Sequence, residues 1–75
     1  MKNKPKKLDR IGLIGNFEKS SSRAVVTEAA ALIAQANRVV AADEETARMA
    51  GLKCEIFPNA AALAAQVDLL LVFGG

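Results

Sequence analysis

The sequence predicts an α/β fold built on a largely parallel sheet, on three observations. Short apolar runs alternate along the chain with stretches of helical period, the order that yields strands joined by crossover helices. The last run, Leu69 to Phe73, is apolar throughout, as expected of a strand covered on both faces. Apolar residues make up 52% of 75 residues but only three are aromatic, so the core must come from Ala, Val, Leu and Ile, which suits helices packed on a sheet.

Each element follows from local composition. Arg10 to Gly15 is a short apolar run punctuated by Gly12 and Gly15 and reads as a buried strand. Asn16 to Ser22 is polar, with three consecutive serines, and reads as a loop ending in a helix N-cap. From Arg23 to Ala36 the period changes: Val25, Ala29, Leu32, Ile33 and Ala36 share one helical face, and Asn37 is the expected stop. Arg38 to Ala42 reads as a second strand. Asp43 reads as the N-cap of a short helix, Glu44 to Ala50, with acids in its first turn and Gly51 as its stop. Lys53 to Phe57 is weakly strand-like and ends at Pro58. Asn59 caps a third helix through Gln66 with Leu63 inward, and Asp68 to Phe73 is the last strand, followed by Gly74 and Gly75.

Right-handed crossovers and the simplest wiring place the first strand centrally, the second and third to one side, and the fourth on the other. The expectation is an incomplete three-layer Rossmann-like domain, strand order 3-2-1-4, over residues 10–75, preceded by a basic, disordered head at residues 1–9. Strand order reverses between the first and last strands, and ligands of open α/β sheets bind at such a switch point beyond the carboxyl ends of the strands.

Charge and composition exclude several classes. The net charge of +2 divides into five basic residues against Asp9 in residues 1–10 and five basic against seven acidic residues in the rest. The head is read as a solvated terminus rather than a nucleic-acid or membrane arm. No apolar signal core follows the lysines, and no run of 18 apolar residues exists, so neither export nor a membrane span is expected. Cys54 is the sole cysteine and reads as a partly buried structural thiol, with a reducing cytoplasm as the default compartment. Histidine is absent, which removes Ser/His and Cys/His nucleophilic pairs and leaves no metal cluster.

What remains is the switch point itself. One loop starts at Gly15 and carries Asn16, Lys19 and the serines; the other starts at Gly74. Their backbone amides could form an anion nest, with Lys19 as a point charge and serine hydroxyls as donors to phosphate oxygens. Local sequence by itself favours ordinary turns at strand ends and a helix cap. A dinucleotide fingerprint fails, because Gly12 and Gly15 are followed by no third glycine, and no P-loop of the form G-x-x-x-x-G-K-[ST] occurs.

The stretch Asp68-Leu69-Leu70-Leu71-Val72-Phe73-Gly74-Gly75 resembles the strand and first two glycines of the Gly-Gly-Asp-Gly-Thr motif of NAD kinases. Ile11 to Asn16 followed by Lys19 is similar to their first strand and its Asn-x-x-Lys loop, and Glu44 to Leu52 looks like the second helix of bacterial members. The similarity spans residues 10–75. It implies a phosphotransferase that moves the γ-phosphate of ATP, or a phosphate of polyphosphate, to the 2′-hydroxyl of NAD with a divalent metal such as magnesium, in a cytoplasmic homo-oligomer. Gly74 and Gly75, and less directly Asn16, are implied as nucleotide-binding residues. The motif aspartate that would serve as base follows position 75, so no catalytic or metal-binding residue is assigned here, and the 75 residues alone are expected to be inactive. Lipid and sugar-phosphate kinases share the Gly-Gly-Asp-Gly element and are the alternative. A non-enzymatic Rossmann-like or receiver-like module is the third reading, disfavoured because Glu18 is the single acid between Asn16 and Lys19 and Phe73 leads directly to glycine.

Overall fold

The first apolar run becomes the axis of a four-stranded sheet in the computed structural model, which describes residues 8–18 and 21–74. Its elements are β1 (Arg10–Gly15), α1 (Ser21–Gln35), β2 (Val39–Asp43), α2 (Glu44–Ala50), β3 (Glu55–Phe57), α3 (Ala60–Gln66) and β4 (Leu69–Phe73). The strands lie in the order β3-β2-β1-β4, and all three pairings are parallel. This is the predicted wiring, Rossmann-like in kind.

Strand alternation assigns the two faces. Ile11, Leu13 and Gly15 point to one side; there Leu13 packs with Val26 of α1 and Ala50 of α2, and Leu71 and Phe73 of β4 join them. Gly12 points to the other side, where a Cβ would stand 3.0 Å from Leu70 and 3.2 Å from Leu63 of α3. The arrangement is therefore three layers: α1 and α2 on one face, α3 on the other. Reversal of the crossover direction after β3 forces α3 to the opposite face. Leu13, Leu63 and Val26 are fully buried, each worth about 1.5–3 kcal/mol relative to exposure.

Helix ends are set by single residues. Asn37 adopts φ +62, so α1 closes with Arg38 N donating to Ile33 O at 3.1 Å and Asn37 N to Ala34 O at 3.0 Å. Gly51, at φ +66, does the same for α2, with Leu52 N donating to Ala47 O at 2.9 Å. Both are left-handed stops that satisfy the last carbonyls. At the other end of α3, the Asn59 side chain accepts from Ala62 N at 2.8 Å. Asn59→Ala is expected to cost about 0.5–2 kcal/mol, read as a lowered urea midpoint that Asn59→Asp restores.

The helical face of α1 differs from the expected one. Ser22 and Val26 are its buried residues, with Ala29, Ala30 and Ile33 half-buried, whereas Val25 and Leu32 are exposed at 43% and 59%. Ser21 and Ser22 also belong to the helix rather than to the loop before it. Asp43 stands at the N-cap position of α2 but makes no side-chain cap bond. As the last residue of β2 it shares the α3 face with Ala41, whereas α2 lies on the opposite face, and its Oδ1 is buried without a partner.

The N-terminal boundary is hydrogen-bonded in place. The Asp68 carboxylate accepts from Asp9 N and Arg10 N, both at 3.0 Å, and Asp9 O accepts from Val39 N at 2.7 Å. Arg38 also donates to the Leu8 carbonyl. Residues 1–7 of the expected head lie outside the described residues.

Candidate functional site

At the carboxyl ends of β1 and β4 the chain turns twice in one place. β1 reaches its end at Gly15, in register with Phe73 of β4. Asn16 extends the ladder by one step, its N–H donating to Phe73 O at 3.1 Å. Its side chain then closes the crevice: Nδ2 donates to Gly74 O at 2.8 Å, and Oδ1 accepts from Glu18 N at 3.1 Å. The second bond is an Asx turn, which bends the chain away from the sheet. One asparagine side chain thus holds its own loop and ties it to the next strand's glycine.

Glycine is required at Gly74 on two grounds. Its φ of +80 lies in the left-handed region, which disfavours a side chain. A Cβ there would also lie 2.8 Å from Ser22 Oγ, 3.0 Å from Asn16 Cβ and 3.2 Å from Asn16 O. At Gly15 the limitation is space alone, because a Cβ would meet the Phe17 ring at 2.8 Å and Val26 Cγ2 at 3.0 Å. Phe17 folds back over the end of β1 and joins the apolar cluster beneath the loop.

Two polar residues are buried against this corner. Ser22, in the first turn of α1, is 3% exposed and faces Gly74. Thr46, in the first half of α2, is fully buried, and its Oγ1 accepts from Gly15 N at 3.1 Å. Ser22 carries a functional expectation as one of three serines. Thr46 carries none, since a lone threonine inside a short helix has no local signal that its hydroxyl serves a strand end.

Of the residues expected to contact a nucleotide, Asn16 and Gly74 are brought into direct contact. Gly75, Lys19 and Ser20 lie outside the described residues. Arg10 is at the opposite end of β1, paired with Glu55 at 2.9 Å in an exposed bridge worth under about 1 kcal/mol. Among the described residues no group of three or more His, Cys, Asp or Glu side chains is placed to hold a metal ion. The described residues therefore do not fit a self-contained divalent-cation site. No helix of the described residues is long and apolar enough to cross a membrane.

Cys54 is half-buried between α2 and β3, away from this corner. Burial, and secondarily the charge of Glu55, raise its thiol pKa above the usual value. A raised pKa means that the folded chain holds the thiol proton more tightly than the unfolded chain. The associated stability is complete below the unfolded pKa, about 8.5, and declines as pH rises through the folded value. Urea melts between pH 7 and pH 10 are expected to fall more steeply for the natural chain than for Cys54→Ala.

Comparison of the chain with protein-family models, with curated protein sequences and with solved structures found no match.

Proposed function

We propose that residues 10–75 are the N-terminal portion of an NAD kinase, and that the Asn16–Gly74 corner is its nucleotide-phosphate crevice. The observation that carries this reading is the 2.8 Å bond from Asn16 Nδ2 to Gly74 O. Two segments with separate resemblances to the family, the Asn-x-x-Lys loop and the Gly-Gly motif, are 58 residues apart in sequence and meet side chain to backbone. They meet at the switch point of the strand order, where open α/β sheets take their ligands.

The chemistry asked of such a corner is modest. Phosphoryl transfer proceeds mainly by positioning and by electrostatic stabilisation of the phosphate oxygens. Backbone N–H groups beyond the ends of β1 and β4 provide fixed partial positive charge, and a glycine at position 74 lets a phosphate approach the backbone closely. On this reading ATP or polyphosphate is the donor and the NAD 2′-hydroxyl the acceptor. Magnesium is held by groups outside these residues, and the parent protein is a cytoplasmic homo-oligomer. The base belongs to the motif aspartate, which would follow Gly75.

Two measurements test the reading. The codons after Gly75 in the gene are expected to encode Asp-Gly-Thr, and a different sequence there overturns it. Residues 1–75 incubated with NAD, magnesium and either ATP or polyphosphate are expected to form no NADP. Turnover would mean that the chemistry resides in residues assigned here only to binding and support.

A further inference from the structure

We propose that Thr46 is the positioning residue of the crevice: its hydroxyl fixes the last peptide of β1 and thereby the reach of Asn16 to Gly74. The argument starts from strand alternation. In a parallel ladder successive residues direct their backbone groups to opposite neighbours. Asn16 N–H is directed to β4, where it meets Phe73 O. Gly15 N–H is therefore directed toward β2. The β1–β2 pairing ends at Leu13 and Ala42, and β2 passes into α2 at Glu44. Continued in register, the Gly15 N–H would meet Asp43 O at the very end of β2, and the ladder does not extend to that pair.

Thr46 Oγ1 takes that place, at 3.1 Å. The residue is fully buried, so water does not readily replace it. The result is a contiguous chain of bonds: Thr46 Oγ1 to Gly15 N, then one residue on, Asn16 N to Phe73 O and Asn16 Nδ2 to Gly74 O. It runs from α2 across the end of β1 to the end of β4. Without the hydroxyl, the Gly15 N–H loses the acceptor that the fold gives it. A part-buried N–H in that state reorients toward water, and the Ile14–Gly15 peptide that it turns is joined through the Gly15 α-carbon to the peptide that carries the Asn16 N–H.

The experiment uses the 15N-labelled chain with Thr46→Val and Thr46→Ser. Thr46→Val keeps the shape and removes the acceptor; Thr46→Ser keeps the acceptor. In Thr46→Val the Asn16 backbone amide is expected to exchange at least tenfold faster, and its side-chain amide resonances to move toward those of a free asparagine. Thr46→Ser is expected to restore both. A Thr46→Val chain in which Gly15 responds while Asn16 and Gly74 keep their natural shifts and protection overturns the proposal. Should Thr46→Val not fold, native-state exchange on the unaltered chain decides. Gly15 and Asn16 amides are expected to exchange through one common opening, and two openings of different denaturant dependence reject the linkage.

A ligand measurement extends the test and rests on the nucleotide reading above. ATP is the probe, with and without magnesium, at a temperature where both chains are folded. Binding at least tenfold weaker in Thr46→Val supports the positioning role, and equal affinity overturns it. Failure of the unaltered chain to bind ATP counts against the nucleotide reading, while the exchange measurements still decide the role of Thr46.

Discussion

Leu13→Ala is expected to lower the unfolding free energy by about 2–5 kcal/mol, the range for removing most of a fully buried leucine when the site only partly collapses. Leu13 has no exposed surface and sits on the central strand, paired on one side with Ala42 and on the other with Leu71. Its side chain meets Val26 and Ala50, so the cavity would open where α1, α2 and the sheet converge. A chain of this length has a net stability of roughly 4–11 kcal/mol at typical per-residue values. The substitution would remove a large fraction of that and could leave the unfolded state populated in water. Leu32→Ala is the matched comparison: the same atoms are removed from a residue 59% exposed on α1, and the expected change is within about 0.5 kcal/mol. Urea unfolding of both variants checks the pair. A Leu32→Ala effect as large as that of Leu13→Ala would place the core on the other stripe of α1.

That contrast marks where the sequence was legible and where it was not. Strand positions were readable because each is a short apolar run closed by a breaker. β1 has the bounds expected of it, and β4 differs only in starting at Leu69 instead of Asp68. Topology followed from the alternation of elements together with crossover handedness, neither of which depends on individual side chains. The inward face of α1 was less legible. Its apolar residues surround the helix, so a stripe through Val25 and Leu32 and a stripe through Ser22 and Val26 both have helical period and share Ala29 and Ile33. The second stripe sets Ser22 against the corner at the top of the sheet, so close to Gly74 that a Cβ there would stand 2.8 Å from the Ser22 Oγ. That neighbour is 52 positions away and leaves no local trace.

The site shows the same division. Gly15, Asn16 and Gly74 were identifiable because glycines at strand ends flank a predicted switch point, and the structure joins Asn16 to Gly74. Thr46 was not identifiable, because its role depends on where β2 stops relative to β1, which is a matter of register. Asp43 went the other way. Its position before a helix signalled a cap, but strand alternation carries its side chain to the opposite face of the sheet from α2. In both cases the deciding fact is the side of the sheet on which a side chain or an N–H emerges.

Gly74→Ala is expected to have its largest effect on the crevice and a smaller one on stability, and magnitudes decide between the two. Keeping Ala at φ +80 costs about 1–2 kcal/mol in backbone strain. Its Cβ would in addition stand 2.8 Å from Ser22 Oγ and 3.2 Å from the Asn16 carbonyl, overpacking that typically costs about 1–3 kcal/mol. The contact that fixes Gly74 is the bond from Asn16 Nδ2, and a bond of this type is worth about 0.5–1.5 kcal/mol net. Strain plus overlap exceeds the bond, so the backbone after Phe73 releases Asn16 and relaxes to negative φ. The stability loss is then capped near the value of that bond. Asn16 retains its backbone link to Phe73 and its Asx turn with Glu18, neither of which involves Gly74. The expected signature is a nearly unchanged urea midpoint, side-chain amide resonances of Asn16 shifted to solvent-exposed values, and ATP affinity at least tenfold lower under the proposed function. A large drop in midpoint with the Asn16 signals unmoved would mean that the corner is rigid enough to hold the strained alanine, and that its closure does not depend on the Asn16–Gly74 bond.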